Sequence, residues 1–252
     1  MISFFGQTDV GRRRSLNEDS IFAVENLFLV CDGMGGHKAG EVASQLAVDA
    51  IAGFVNRSAE DAEITWPYGF LNRVSLEGNR LRTAIKLANR TVARKAASSD
   101  DYTGMGTTVA AVLVSRNRPQ MTYASVGDSR IYLIRGGGAI LQLSQDDSWA
   151  NLPWEAEAVD DATRAAMQHV LTKALGARDD VDFETKSQDL NGGDVIVLCS
   201  DGLSNMLSDQ RILEIVSAHG PDLEGACRDL VSEANAQGGR DNISVILVRY
   251  TS

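Results

Sequence analysis

Cysteine is scarce in this chain, with three residues among 252, at Cys31, Cys199 and Cys227. An odd number in no metal-binding or redox spacing excludes a disulfide framework, a zinc knuckle and a thioredoxin-like motif. Cys31 and Cys199 each end an apolar run, and Cys227 shares a helical face with Leu223, Leu230, Val231 and Ala234. All three therefore read as small core residues rather than nucleophiles. Positive charge is also short: 24 Lys and Arg stand against 34 Asp and Glu, for a formal net charge of −10. That balance argues against nucleic acid as a partner, because phosphate backbones are held by clustered cations. Long apolar runs are missing as well. No stretch approaches the length of a membrane span, and the N-terminus lacks the basic-then-apolar order of a secretory signal, so a cytoplasmic protein without membrane attachment is expected.

The rest of the composition is that of a globular chain, 44% hydrophobic and 23% charged, long enough for one large domain over 1–252. Periodicity predicts strands over 2–8, 21–25, 27–31, 108–115, 121–126, 130–134, 139–143, 181–188, 194–199 and 244–249. Helical spacing predicts helices over 40–55, 81–96, 161–174, 209–218 and 222–236, with a connecting loop over 56–72. The Gly127-Asp128-Ser129 link carries hairpin chemistry. Strands of antiparallel type interleaved with helix pairs do not make the regular alternation of a doubly wound sheet. The expected class is α+β, with two packed, mainly antiparallel sheets and helices outside each.

Two apolar runs stop abruptly at Asp-Gly. Leu27-Phe28-Leu29-Val30-Cys31 meets Asp32-Gly33, and Val195-Ile196-Val197-Leu198-Cys199-Ser200 meets Asp201-Gly202. Such strands lying side by side would bring two carboxylates together, which requires a shared proton or a cation between them. Further acidic turns occur at Asn17-Glu18-Asp19, Gly127-Asp128-Ser129-Arg130 and Gly239-Arg240-Asp241-Asn242. Any one of these is ordinary turn chemistry. Five at strand ends point to hard oxygen ligands for Mg²⁺ or Mn²⁺ rather than zinc.

The ordered motifs Arg14-Ser15-Leu16-Asn17-Glu18-Asp19, Asp32-Gly33-Met34-Gly35-Gly36-His37, Gly104-Met105-Gly106-Thr107-Thr108, Val126-Gly127-Asp128-Ser129-Arg130, Ser200-Asp201-Gly202 and Gly239-Arg240-Asp241-Asn242 resemble the bacterial branch of the metal-dependent type 2C Ser/Thr protein phosphatases. The resemblance implies a four-layer α-β-β-α sandwich. It also implies two Mg²⁺ or Mn²⁺ ions around a bridging water that serves as hydroxide. Asp32 would bridge the ions, the Gly33 carbonyl would meet one, and Asp201 and Asp241 would ligate the other. Glu18 and Asp19 match positions that hold metal-bound waters or complete the second ion's shell. Asp128 matches a third, weaker site, with a plain turn residue as its alternative. Arg14, four residues before Glu18, matches the arginine that binds the substrate phosphate; its neighbours Arg12 and Arg13 read as a solvated loop.

Met34 stands where eukaryotic relatives carry a histidine taken as general acid. His37 is the nearby alternative, with a role in positioning its loop as the other reading, and a metal-bound water is the favoured acid. Residues 145–175 occupy the place of the family's variable flap. There Asp146-Asp147-Ser148-Trp149 has an Asp where the family pattern has His, and Trp149 and Trp154 either contact a phosphoprotein or pack against the sheet. The implied function is hydrolysis of phosphoserine and phosphothreonine in phosphorylated proteins by a monomer opposing a bacterial eukaryotic-like Ser/Thr kinase. Two rivals remain: a noncatalytic binding protein on the same fold, and a phosphomonoesterase for small metabolites.

Overall fold

Alternation of apolar side chains along the central strands builds the layers. The computed structural model describes residues 1–35, 39–61, 63–136, 138–149 and 170–251. In β3 (Leu27–Met34) the side chains of Leu27, Leu29 and Cys31 join one core, and Phe28 and Val30 join another. β10 (Val195–Cys199) and β11 (Ile243–Tyr250) split in the same way, Val197 and Val245 to one side, Ile196, Leu198, Ile246 and Val248 to the other. A strand buried on both faces reads as a continuous apolar run, which is why these segments lack a polar alternation.

Among the described residues one sheet has the order β1 (Ile2–Asp9), β11, β10, β7 (Arg130–Ile134), β8 (Ile140–Gln142). The other runs β2 (Asp19–Val24), β3, β5 (Val109–Val114), β6 (Gln120–Val126), β9 (Lys186–Asp189), with β4 (Gly106–Thr107) added to the end of β3. Every ladder is antiparallel. The layer containing Phe28, Val112, Leu133, Ile196 and Ile246 fills the space between the sheets.

Helices close the outer faces. α1 (Ala39–Glu60) and α2 (Leu76–Ala96) pack Ala43, Ala47, Ile51, Leu81, Ile85 and Val92 onto the β3 sheet. α2 starts where Ser75 Oγ accepts from Gly78 N, a side-chain cap for an otherwise unpaired amide. The short α3 (Asp201–Ser204), α4 (Asp209–His219) and α5 (Leu223–Ala236) cover the β10 sheet, with Cys227 fully buried among them. The α-β-β-α arrangement matches the expected class.

Several expectations need correction. α1 continues to Glu60 instead of ending at 55, because Ser58 is buried and Phe54 packs edge-on against Trp66 at 5.7 Å. The strand expected over 181–188 is reduced to Lys186–Asp189. Just upstream, the Asn89 amide binds the Arg178 and Asp179 carbonyls and Val181 enters the helix-side core, so side chains replace a ladder. Residues 161–169 of the helix expected over 161–174 lie outside the described residues, and 170–174 are not helical: Leu171 bridges Ser148. The Gly127-Asp128-Ser129 link is no hairpin. It carries the chain from β6 in one sheet to β7 in the other, turning at Gly127 with φ 96°. β3 and β10 likewise face each other across the sandwich rather than lying side by side.

Candidate functional site

The inward face of β3 supplies the first carboxylate. Phe28, Val30 and then Asp32 alternate toward the opposite sheet, so the run of apolar contacts ends in an acid at the edge of the sandwich. Asp19 is the register partner of Asp32 in the β2–β3 ladder, which puts its carboxylate on the same face. Backbone bonds fix Asp32: its N–H donates to Thr108 Oγ1 at 3.0 Å, and its carbonyl accepts from Thr107 Oγ1 at 2.8 Å and Thr108 N at 2.9 Å. Next to it Gly33 N donates to the Glu18 carbonyl at 3.1 Å. A Cβ on Gly33 would lie 2.0 Å from the Gly40 carbonyl oxygen, so only glycine lets the first turn of α1 approach.

The facing sheet contributes the second set. Ser200 continues the inward face of β10, donates to Asp19 Oδ2 at 2.8 Å and accepts from Ser244 N at 3.0 Å, tying the two sheets together at the site. Asp201 then opens α3, where Gly202 presses on the Asn242 carbonyl. Asn242 organises the N-terminal loop: its Nδ2 donates to Val10 O at 3.0 Å and Leu16 O at 2.8 Å, while its Oδ1 accepts from Glu18 N at 2.8 Å. That loop places Arg14, whose Nη2 donates to Asp241 Oδ2 at 2.8 Å and whose Nη1 lies 3.6 Å from Glu18 Oε2.

These residues share one cleft of about 580 Å³ lined by Arg14, Glu18, Asp32, Gly33, Asp128, Asp201 and Asp241, with Val170 and Leu171 on a further wall. Its electrostatics are those of crowded anions. Burial, then the charges of Asp19, Asp201, Asp241 and Asp128, push the Asp32 carboxyl well above the usual carboxylate range. Burial raises Asp19 to about 7 against the lowering effect of hydrogen bonds from the Ser244 and Ser200 side, with Asp201 and Asp241 adding repulsion. Burial, followed by Asp201, raises Asp128 to about 7. Burial also raises Glu18, partly offset by Arg14.

The donor set suits a hard divalent cation. Asp19 Oδ1 and Glu18 Oε1 are buried with no hydrogen-bond partner among the described residues, a costly state unless another positive group meets them. Among the described residues no three acidic, His or Cys side chains are drawn tightly enough to enclose an ion as they stand; the acids line an open cleft.

The structure thus brings Arg14, Glu18, Asp32, Gly33, Asp128, Asp201 and Asp241 to one cleft, with Asp19 linked to it through Asp32. His37 and Trp154 lie outside the described residues, and Trp149 is half-buried. Sequence reading assigned no role to Thr107, Thr108, Ser200 or Asn242. Their places inside the quoted motifs, beside the acids, were the available signal.

Comparison with known proteins follows the same outline. The protein phosphatase 2C family profile matches residues 10–244. A serine/threonine phosphatase, stp, of Listeria monocytogenes is 34% identical over 254 residues, covering 96% of this chain and 93% of that one. PstP of Mycobacterium tuberculosis is 33% identical over 248 residues, and the match spans 98% of this chain but 45% of that protein. The crystal structure of the PstP catalytic domain in complex with two manganese ions superposes with a TM-score of 0.80 at 31% identity, covering 100% of this chain and 99% of that one. This chain belongs to the protein phosphatase 2C family.

Proposed function

We propose that the acidic cleft is where this metal-dependent protein Ser/Thr phosphatase hydrolyses phosphoserine and phosphothreonine esters, with Asp32, the Gly33 carbonyl, Asp201 and Asp241 holding two Mg²⁺ or Mn²⁺ ions. The observation that carries the reading is the gathering of acids from opposite sheets, together with one arginine, in a single cleft. Two divalent ions, when bound, activate a shared water and withdraw charge from the phosphoryl group.

The protein's own groups do the rest. Asp32 stands between the sheets and would face both ions. Asp19 and Glu18, each with a buried oxygen left unpaired, would hold metal-bound waters or complete the second ion's shell. Asp128, with Asp201, would take a third, weaker ion. Arg14 would exchange its bond with Asp241 for two oxygens of the incoming phosphate, since a planar guanidinium offers parallel donors. His37 is the candidate side-chain acid for the leaving serine or threonine oxygen.

The domain spans 1–252, and the protein works as a cytoplasmic monomer against a cognate Ser/Thr kinase. In support, no helix among the described residues is long and apolar enough to cross a membrane, and the net charge of −10 disfavours nucleic acid. Turnover of a phosphothreonine peptide and of a sugar phosphate should be compared with Mn²⁺. D32N or D201N should abolish peptide turnover while leaving the protein folded. Retained activity in both variants would refute the site, and a strong preference for the sugar would favour the metabolite esterase.

A further inference from the structure

Asp147, one of the paired acids of Asp146-Asp147-Ser148-Trp149, uses every polar group it has. Its N–H donates to Gly127 O at 2.9 Å, and its Oδ2 accepts from Gly127 N at 3.2 Å. Its carbonyl accepts from Thr172 N at 2.8 Å, and its Oδ1 lies 3.0 Å from Lys173 Nζ. Beyond it, Ser148 and Leu171 form an antiparallel bridge and Trp149 N donates to Val170 O at 2.8 Å. On its other side Asp146 receives the Arg130 guanidinium, with Nη2 to Oδ2 at 2.7 Å.

A short two-stranded stem results, 147–149 against 170–172, stapled at its root to the Gly127 backbone. Val170 and Leu171 of this stem wall the acidic cleft, and Val170 is 47% exposed there. A carboxylate set between an amide and an ammonium makes charge-assisted bonds to both, and it fixes the returning strand as well as the outgoing one.

We propose that Asp147 and Lys173 form a positioning clasp that sets the Val170–Leu171 wall against the acidic cleft and so governs the fit of the residues flanking phosphoserine or phosphothreonine in a protein substrate. The inference rests on reading the cleft as a phosphatase site. A small aryl phosphate carries no flanking residues for that wall to fit, so the clasp acts chiefly on peptides. The Asp147 and Lys173 side chains are 20% and 43% exposed, which places the effect in the modest range of partly solvated ion pairs.

Steady-state kinetics of K173M, D147N, the double variant and K173R with saturating Mn²⁺, on p-nitrophenyl phosphate and on a phosphothreonine peptide, test it. D147N keeps an oxygen for the Gly127 N–H and puts an amide NH2, which cannot accept, against the Lys173 ammonium. K173M and D147N should each raise the peptide KM about three- to fivefold, and the double variant no further than the worse single one. K173R should stay near the unaltered protein, and p-nitrophenyl phosphate constants should move less than about twofold in all four. Melting temperature checks folding; should D147N unfold, K173M at an exposed position still decides. Equal losses on both substrates, additive losses, or an unchanged peptide KM in K173M would overturn the clasp. An unaltered protein that turns over neither ester with Mn²⁺ would instead overturn the phosphatase reading, and the clasp with it.

Discussion

Asp19 and Asp32 are register partners in the β2–β3 ladder, and the Ser200 hydroxyl of the opposite sheet donates to Asp19 Oδ2 at 2.8 Å. Two acids thus meet at the seam of the sandwich, where burial first and then the Asp19 charge disfavour ionisation of Asp32. The fold is held in a state that a cation stabilises.

Added Mn²⁺ should therefore raise the melting temperature. At about a hundredfold excess over Kd the linkage is about 2.7 kcal/mol, or several degrees for a chain of this size. D32N should melt higher than the unaltered protein without metal and show little further rise with it. An undiminished metal-induced rise in D32N would count against Asp32 as a ligand.

Proton linkage gives a second expectation. Asp19 and Asp128 have folded-state pKa values raised from 3.8 to about 7, chiefly by burial. The metal-free folded state therefore holds protons that the unfolded chain releases above about pH 4, and their contribution to stability is complete below that value and lost as pH rises through about 7. Urea midpoints of the chelator-treated protein should fall between about pH 5 and about pH 8, while Mn²⁺ affinity by calorimetry rises over the same interval. A flat affinity profile would show that these carboxylates do not compete with the ion.

Asn242 binds two carbonyls and one amide of the loop that carries Arg14. N242A should cost about 2–4 kcal/mol in urea unfolding, because it strands those buried groups. It should also lower kcat/KM by letting the Arg14 loop move. Unchanged stability would remove Asn242 as the loop's anchor.

Arg14 is half exposed and paired with Asp241. With metal present, R14A should reduce kcat/KM on a phosphopeptide about 10–100-fold and R14K should recover only part of the loss, since an ammonium cannot offer two parallel donors. Full recovery in R14K would mean that charge alone matters.

Two glycines give opposite signs. A Cβ on Gly202 would lie 1.9 Å from the Asn242 carbonyl oxygen, whereas on Gly53 in α1 it meets nothing closer than the Arg57 guanidinium at 3.8 Å. G202A should destabilise by about 2–4 kcal/mol and G53A should stabilise by about 0.5–1 kcal/mol. Calorimetric melting of both variants checks the contrast, and a stable G202A would refute the close approach.

Much of the fold was legible because both core layers are written locally. The runs at Leu27 and Val195 announce strands buried on two faces, and the spacing of Leu81, Ile85, Ala88 and Val92 announces a helix. What misled was the reading of Gly127-Asp128-Ser129. Those residues have turn chemistry whether the next strand pairs with the last or crosses to another sheet, and the choice is made by partners distant in sequence, β9 for β6 and β10 for β7. The strand expected over 181–188 is shortened at its start for a similar reason, since Asn89, far away on α2, satisfies the carbonyls of Arg178 and Asp179 just upstream.

The residue types at the acidic turns determined, by themselves, that hard oxygen ligands end the apolar strands, because an Asp-Gly after a buried run must emerge where the chain leaves the core. Only the tertiary structure decided which of them meet. The strand pleat points Asp32 away from its own helices and toward the other sheet, Ser200 closes the seam, and Asn242 pulls the Arg14 loop over it. Local sequence specifies which face a side chain takes, and the packing of two sheets face to face specifies what stands opposite.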